Sequence, residues 1–114
     1  MFLASIPAVA TAQNTDAPVA ALMSSDAQEA TKVVDAFHAR LSGSKGAAAA
    51  ALLVDDALIF ESGHAERART EYGLHHAVAD AAYAAAVPSK RTWRSCFAEG
   101  DTGWIVSESR ATGT

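Results

Sequence analysis

Apolar side chains recur along this chain with two different periods, and the periods divide it into elements. Across residues 26–42, Ala30, Val33, Val34, Phe37 and Leu41 fall three or four apart, the spacing of one helix face. Ser25 or Asp26 supplies the cap, with Glu29 at capping-box distance from Asp26, and Gly43 supplies the stop. A second, shorter helix is predicted over 45–53, where the alanines at 47–51 have high helix propensity and Leu52, Leu53 and Val54 provide something to bury. Asp55-Asp56 breaks it. The apolar run 57–61 has strand length, Ser62-Gly63 turns the chain, and 64–69 reads as a short returning strand or a loop. A third helix is predicted from Thr70 to Val87, stopped by Pro88. Residues 91–98 then alternate as a strand with Trp93, Ser95 and Phe97 on one face. A turn with two glycines follows at 99–103, and 104–112 returns as the second arm of a hairpin. Helix, helix, strand, helix, strand, strand is the order of an α+β domain whose helices cover one face of an antiparallel sheet.

A hairpin plus one short strand is a thin sheet for three helices. The chain reaches Thr114 straight after a strand, so further C-terminal strands are expected beyond this sequence. The first twelve residues are apolar and end in Ala10-Thr11-Ala12, a small-x-small pattern of the kind signal peptidase accepts, although no Lys or Arg precedes them. Residues 1–12 are therefore read as part of a signal peptide, 13–25 as a linker and 26–114 as the domain. That reading places the protein in the periplasm or outside the cell.

Composition narrows the picture. Of 57 hydrophobic residues 28 are alanine, so the remaining 29 can build one small core. Nine Lys+Arg against thirteen Asp+Glu leave a net charge of −4 and no basic face for nucleic acid. No apolar run approaches the roughly 20 residues that span a bilayer. The single cysteine, Cys96, excludes an internal disulfide and a cysteine-based zinc site, and its strand position suits a small core residue.

Candidate chemistry concentrates between residues 61 and 80, which hold Glu61, His64, Glu66, Glu71, His75, His76 and Asp80. On one continuous helix, Tyr72, His76, Ala79, Asp80, Tyr83 and Val87 share a sector with His75 at its edge, and the two tyrosines mark it as the inward face. His76 and Asp80 are four apart and within reach of each other. An imidazole and a carboxylate on such a face must find partners or line a cavity. Three readings stand side by side. His76 is an acid/base group steadied by Asp80, with a hydroxyl from Tyr72 or Tyr83. Alternatively, the two residues are a structural polar pair. In the third reading one imidazole joins Glu61 or Glu66 on a metal, although no His-Glu-x-x-His motif is present.

These residues carry a resemblance. The segments 34–41 and 51–63 resemble the nuclear transport factor 2-like superfamily. Glu61-Ser62-Gly63, Glu66, Arg69-Thr70-Glu71-Tyr72, His75-His76 and Asp80 together are similar to a SnoaL-like bacterial branch, much of it exported. The resemblance covers residues 26–114. It implies a cone: three N-terminal helices packed into a curved antiparallel sheet around a small-molecule pocket, with homodimers in the complete proteins. It also implies acid/base chemistry without a cofactor, in a superfamily of isomerases, dehydratases, hydrolases, cyclases and non-catalytic binding modules. Fold alone does not choose among these. The expected catalytic residues are His76, Asp80 and Tyr72, and the expected ligand-binding residues Glu61, Glu66, His75 and Tyr83, with no metal. The alternative is a ligand- or metal-binding or dimerising accessory module.

Overall fold

The computed structural model describes residues 25–112. The segment read as a signal peptide and nearly all of the linker lie outside them. Helix α1 (Ser25–Ser42) is followed by α2 (Gly46–Ala50), the hairpin strands β1 (Ile59–Glu61) and β2 (His64–Glu66), the helices α3 (Arg69–Leu74) and α4 (His76–Ala86), and the long strands β3 (Ser89–Glu99) and β4 (Thr102–Ala111). The α+β class and its order hold. Among the described residues the strands form two separate antiparallel pairs, β1 with β2 and β3 with β4, and no closed barrel. Among the described residues no helix is long and apolar enough to cross a membrane.

The sequence predicts one helix over 70–87, and two are found. His75 sits between them at φ −115°, ψ −84°, which ends α3 and restarts the chain as α4. The inward face of α4 is also turned by about one residue from the predicted one. Ala77 and Ala81 are buried and Ala84 packs beside them, whereas Tyr83 is 62% exposed. The cause is steric. In α2, Gly46 lies so close to the backbone of Ala77 that only small side chains fit on that side of α4. A tyrosine ring there would hold the helices apart.

The core is correspondingly small. Leu41, Ala49 and Ala81 form one cluster, with Phe37 and Ala84 against it. Ala50, Tyr72 and Ala77 form another, bordered by Phe37, Leu53 and Ile59. The β1–β2 hairpin turns on Ser62 (φ 50°) and Gly63 (φ 82°), a two-residue turn with both positions left-handed, which Gly63 adopts freely and Ser62 only because the turn demands it. Arg69 pins this hairpin to the preceding loop. Its backbone N–H donates to the Asp55 carbonyl at 3.0 Å, and its guanidinium donates to the Leu53 carbonyl and pairs with the Asp55 carboxylate.

The β3–β4 hairpin is tied to α1 by charge. A register irregularity between Arg91 and Trp93 breaks the alternation of β3, so that Arg91 and Arg94 reach the same partner although regular pleating would send them to opposite faces. Arg91 Nη1 donates to Asp35 Oδ1 at 2.9 Å and Arg94 Nη2 to the same oxygen at 2.8 Å, while Arg94 Nε donates to Ser107 Oγ at 2.9 Å. The Arg94 hydrogen bond, helped by the charges of Arg94 and Arg91, holds the Asp35 carboxyl below its ordinary range against the opposing effect of burial. A depressed carboxyl contributes stability above its unfolded pKa of about 3.9 and loses it as pH falls through the folded value. Asp35 is half exposed and screened, so the contribution is on the order of 1 kcal/mol. Thermal melts between pH 7 and pH 3 are expected to show a steeper acid loss in the wild type than in Asp35→Asn. Parallel curves would mean that the tether carries no net stability.

Candidate functional site

Alternation along the small hairpin decides which of its side chains face the helices. Ile59 packs on the core, so Glu61, two residues on, shares its face. Glu66 is the register partner of Ile59 and His64 that of Glu61, which puts Glu61, His64 and Glu66 on one side. Phe60, on the other side, is 76% exposed. Helix α3 delivers Tyr72 from beneath, and its first turn is held by Glu71, which accepts from the Arg67 N–H at 2.7 Å. Helix α4 begins with His76 and carries Asp80 one turn later.

The expected His76–Asp80 hydrogen bond does not form; each residue finds a partner on another element. Tyr72 Oη donates to Asp80 Oδ2 at 2.7 Å, across the break at His75. Tyr72 is 3% exposed, and its ring stacks on Phe37 with centroids 6.3 Å apart. Burial first, then the Asp80 hydrogen bond and charge, keep the phenol protonated well above its ordinary range. Asp80 also lies against Glu61. Burial raises the Glu61 pKa, and the charge of Asp80 and a hydrogen bond to it add to the rise. Two carboxyls that share a hydrogen bond resist ionising together.

His76 turns to Glu66. Its Nδ1 stands 2.9 Å from Glu66 Oε1, and that carboxylate raises the imidazole above its ordinary range against the effect of burial. The contact does not meet hydrogen-bond geometry, so it pairs charges only when the imidazole is protonated, and neither Glu66 oxygen has an aligned hydrogen-bond donor. Glu66 is nonetheless 6% exposed. The His76 ring lies 5.9 Å from that of His64. His75 Nδ1 is 3.9 Å from the same Glu66 oxygen, on a largely exposed side chain. An open groove of about 370 Å³ runs over His64, Glu66, Glu71, His75 and His76.

The structure therefore gathers Glu61, Glu66, Tyr72, His76 and Asp80, with His75 on the rim. It leaves Tyr83 outside on the exposed side of α4. Among the described residues no three His, Cys, Asp or Glu are grouped to hold a metal ion. Cys96 is half-buried, and burial raises its thiol pKa, so it stays protonated. Sequence reasoning missed Asp35, Arg91 and Arg94. The signal for them was the spacing of two arginines three apart on a strand, which brings them to one face only through a bulge.

A scan of protein-family models finds no match to the chain, and a search of curated proteins finds none. Among solved structures, the chain is similar to the crystal structure of a "putative ketosteroid isomerase" from Shewanella frigidimarina. The two share 34% identity, the match covers 73% of this chain and 68% of that one, and the TM-score is 0.69. That protein supports the family reading carried by the Glu-Ser-Gly, His-His and Asp pattern: the chain belongs to the nuclear transport factor 2-like superfamily, in its SnoaL-like branch.

Proposed function

We propose that this protein is an exported, cofactor-independent isomerase or lyase that moves a proton next to a carbonyl group of a small, largely apolar molecule. The observation that carries the reading is the carboxyl pair Glu61–Asp80 with the Tyr72 hydroxyl donated into it. It gives a carboxyl with a raised pKa, and so a stronger base when ionised than an ordinary glutamate. Glu61 takes the proton from the carbon beside the carbonyl and returns it to a different carbon. His76, whose basicity Glu66 raises, offers a ring N–H to the oxygen on which negative charge develops. Tyr72, buried and committed to Asp80, positions the pair without touching substrate. The isomerase name of the similar Shewanella protein supports this class of reaction.

Two further parts of the proposal rest on other features. Export rests on the apolar start ending at Ala12. Homodimer formation is supported by the open face of the long hairpin, where Phe97 stacks on Trp104 with centroids 5.7 Å apart while both rings and Val106 stay about half exposed.

Conversion of a β,γ-unsaturated ketone, steroidal or simpler, to its conjugated isomer tests the reaction by absorbance. Glu61→Gln is expected to lower kcat by about 10²–10⁴-fold while the circular dichroism spectrum is kept. Equal rates for the variant and wild type, or solvent-level rates for both, would leave a binding or accessory module as the better reading.

A further inference from the structure

A second cavity, of about 420 Å³, lies between α1 and the long hairpin and shares no lining residue with the Glu61–Asp80 site. Asp35 and His38 face it from α1, and Arg91, Arg94, Ser107 and Ser109 from the hairpin. We propose that this cavity binds a small oxyanion, a carboxylate or a phosphate, on the paired guanidiniums of Arg91 and Arg94.

The charge balance is the first argument. Two guanidiniums meet one carboxylate, so the cavity keeps one positive charge in excess, in a chain whose net charge is −4. The second is the unused donors. Asp35 accepts both arginines on a single oxygen, Oδ1. Arg91 spends only Nη1, and Arg94 spends Nε and Nη2, so among the described residues Nη1 of Arg94 and Nε and Nη2 of Arg91 have no protein acceptor. The Arg94 side chain is 6% exposed, yet none of its nitrogens is both sealed from solvent and unpartnered, so the spare Nη1–H stays open to an acceptor that enters the cavity. The third is shape. The planar fork of an arginine presents parallel N–H groups at the spacing of two oxygens on one carbon or phosphorus, and the hydroxyls of Ser107 and Ser109 add neutral donors. A halide is a single spherical acceptor and matches the two parallel N–H directions less well than a pair of oxygens. Arg94 is fixed by Ser107 and Asp35, whereas Arg91, about half exposed, is the arm that can close on an incoming ligand.

Titration of the full chain with sodium acetate, sodium benzoate and inorganic phosphate, each at constant ionic strength against sodium chloride, tests the proposal by amide chemical shifts. Saturable shifts around Arg91, Arg94 and Ser107 are expected, with Kd about 1 mM or tighter. A response to the carboxylates alone or to phosphate alone supports the site and identifies which oxyanion it takes. Arg91→Gln, at a half-exposed position, is expected to weaken binding at least tenfold while the chain stays folded. Asp35→Asn removes the competing carboxylate charge and is expected to tighten binding several-fold, an effect that a purely structural arginine–aspartate tether would not produce. Shifts no larger than those with chloride, or wild-type affinity in Arg91→Gln, would overturn it.

Discussion

Gly46→Ala will destabilise this protein more than the size of one methyl group suggests. A Cβ at position 46 would stand 2.5 Å from the carbonyl oxygen of Ala77 and 2.9 Å from its carbonyl carbon. Both are backbone atoms of α4, so no side chain can swing away, and relief requires α2 and α4 to separate. Ala49, Ala50, Ala77 and Ala81, among the most buried residues of the chain, lie along these two helices, and separating the pair opens the whole of this small core. A loss of about 3 kcal/mol is expected. For a domain of this size that is a Tm drop on the order of 10–20 °C. Gly73→Ala provides the contrast. Its Cβ would meet Ala50 Cβ at 3.5 Å, an ordinary contact, and alanine is the better helix former by about 0.5–1 kcal/mol, so that variant should melt at or above the wild-type temperature. Similar melting of Gly46→Ala and wild type would show that α2 and α4 are not in this close approach.

The same contact explains what the sequence could and could not reveal. Period alone located α1 and both arms of the long hairpin, because their patterns are local. Ser62-Gly63 located the small turn for the same reason. The tyrosines mark the core correctly at Tyr72 but not at Tyr83, so they misplace the inward face of α4. On a helix that packs backbone to backbone the inward residues are the small ones, and Tyr83 is left outside. In a segment this rich in alanine the Ala77–Ala81–Ala84 stripe does not stand out from its neighbours. The break at His75 had only a weak local sign, Gly73 two residues earlier. At the site, residue types and positions were legible, and Glu61, Glu66, Tyr72, His76 and Asp80 do converge. Their pairings were not. Spacing along a helix says that His76 and Asp80 can touch, but Glu66 on a strand and Tyr72 across a helix break compete for them, and tertiary placement decides. The burial of Arg94 was hidden in the same way, since it depends on a bulge and on Asp35, 59 residues away.

Asp80→Asn should move the pH dependence of the proposed isomerisation as well as its rate. In the wild type, burial and the neighbouring carboxylate both hold the Glu61 pKa up. Asparagine keeps the shape and an oxygen that can accept from Tyr72, so the fold and the buried hydroxyl remain served. It removes the negative charge, and the Glu61 pKa should fall towards the value that burial alone imposes. In the proposed reaction Glu61 must be ionised to accept a proton, so the rising acid limb of the kcat/KM profile would mark its ionisation in the free protein, and this limb should shift to lower pH in the variant. At a pH where Glu61 is fully ionised in both proteins the variant should be slower, because a glutamate of lower pKa is a weaker base. The combination of an earlier acid limb and a lower plateau is specific. A merely destabilised variant would lose activity with an unmoved limb, and a variant in which Asp80 itself were the base would lose the limb altogether. Titration of the Glu61 side-chain carboxyl carbon by NMR reads the same shift without substrate. An unchanged Glu61 titration in Asp80→Asn would remove the carboxyl pair as the basis of the proposed chemistry.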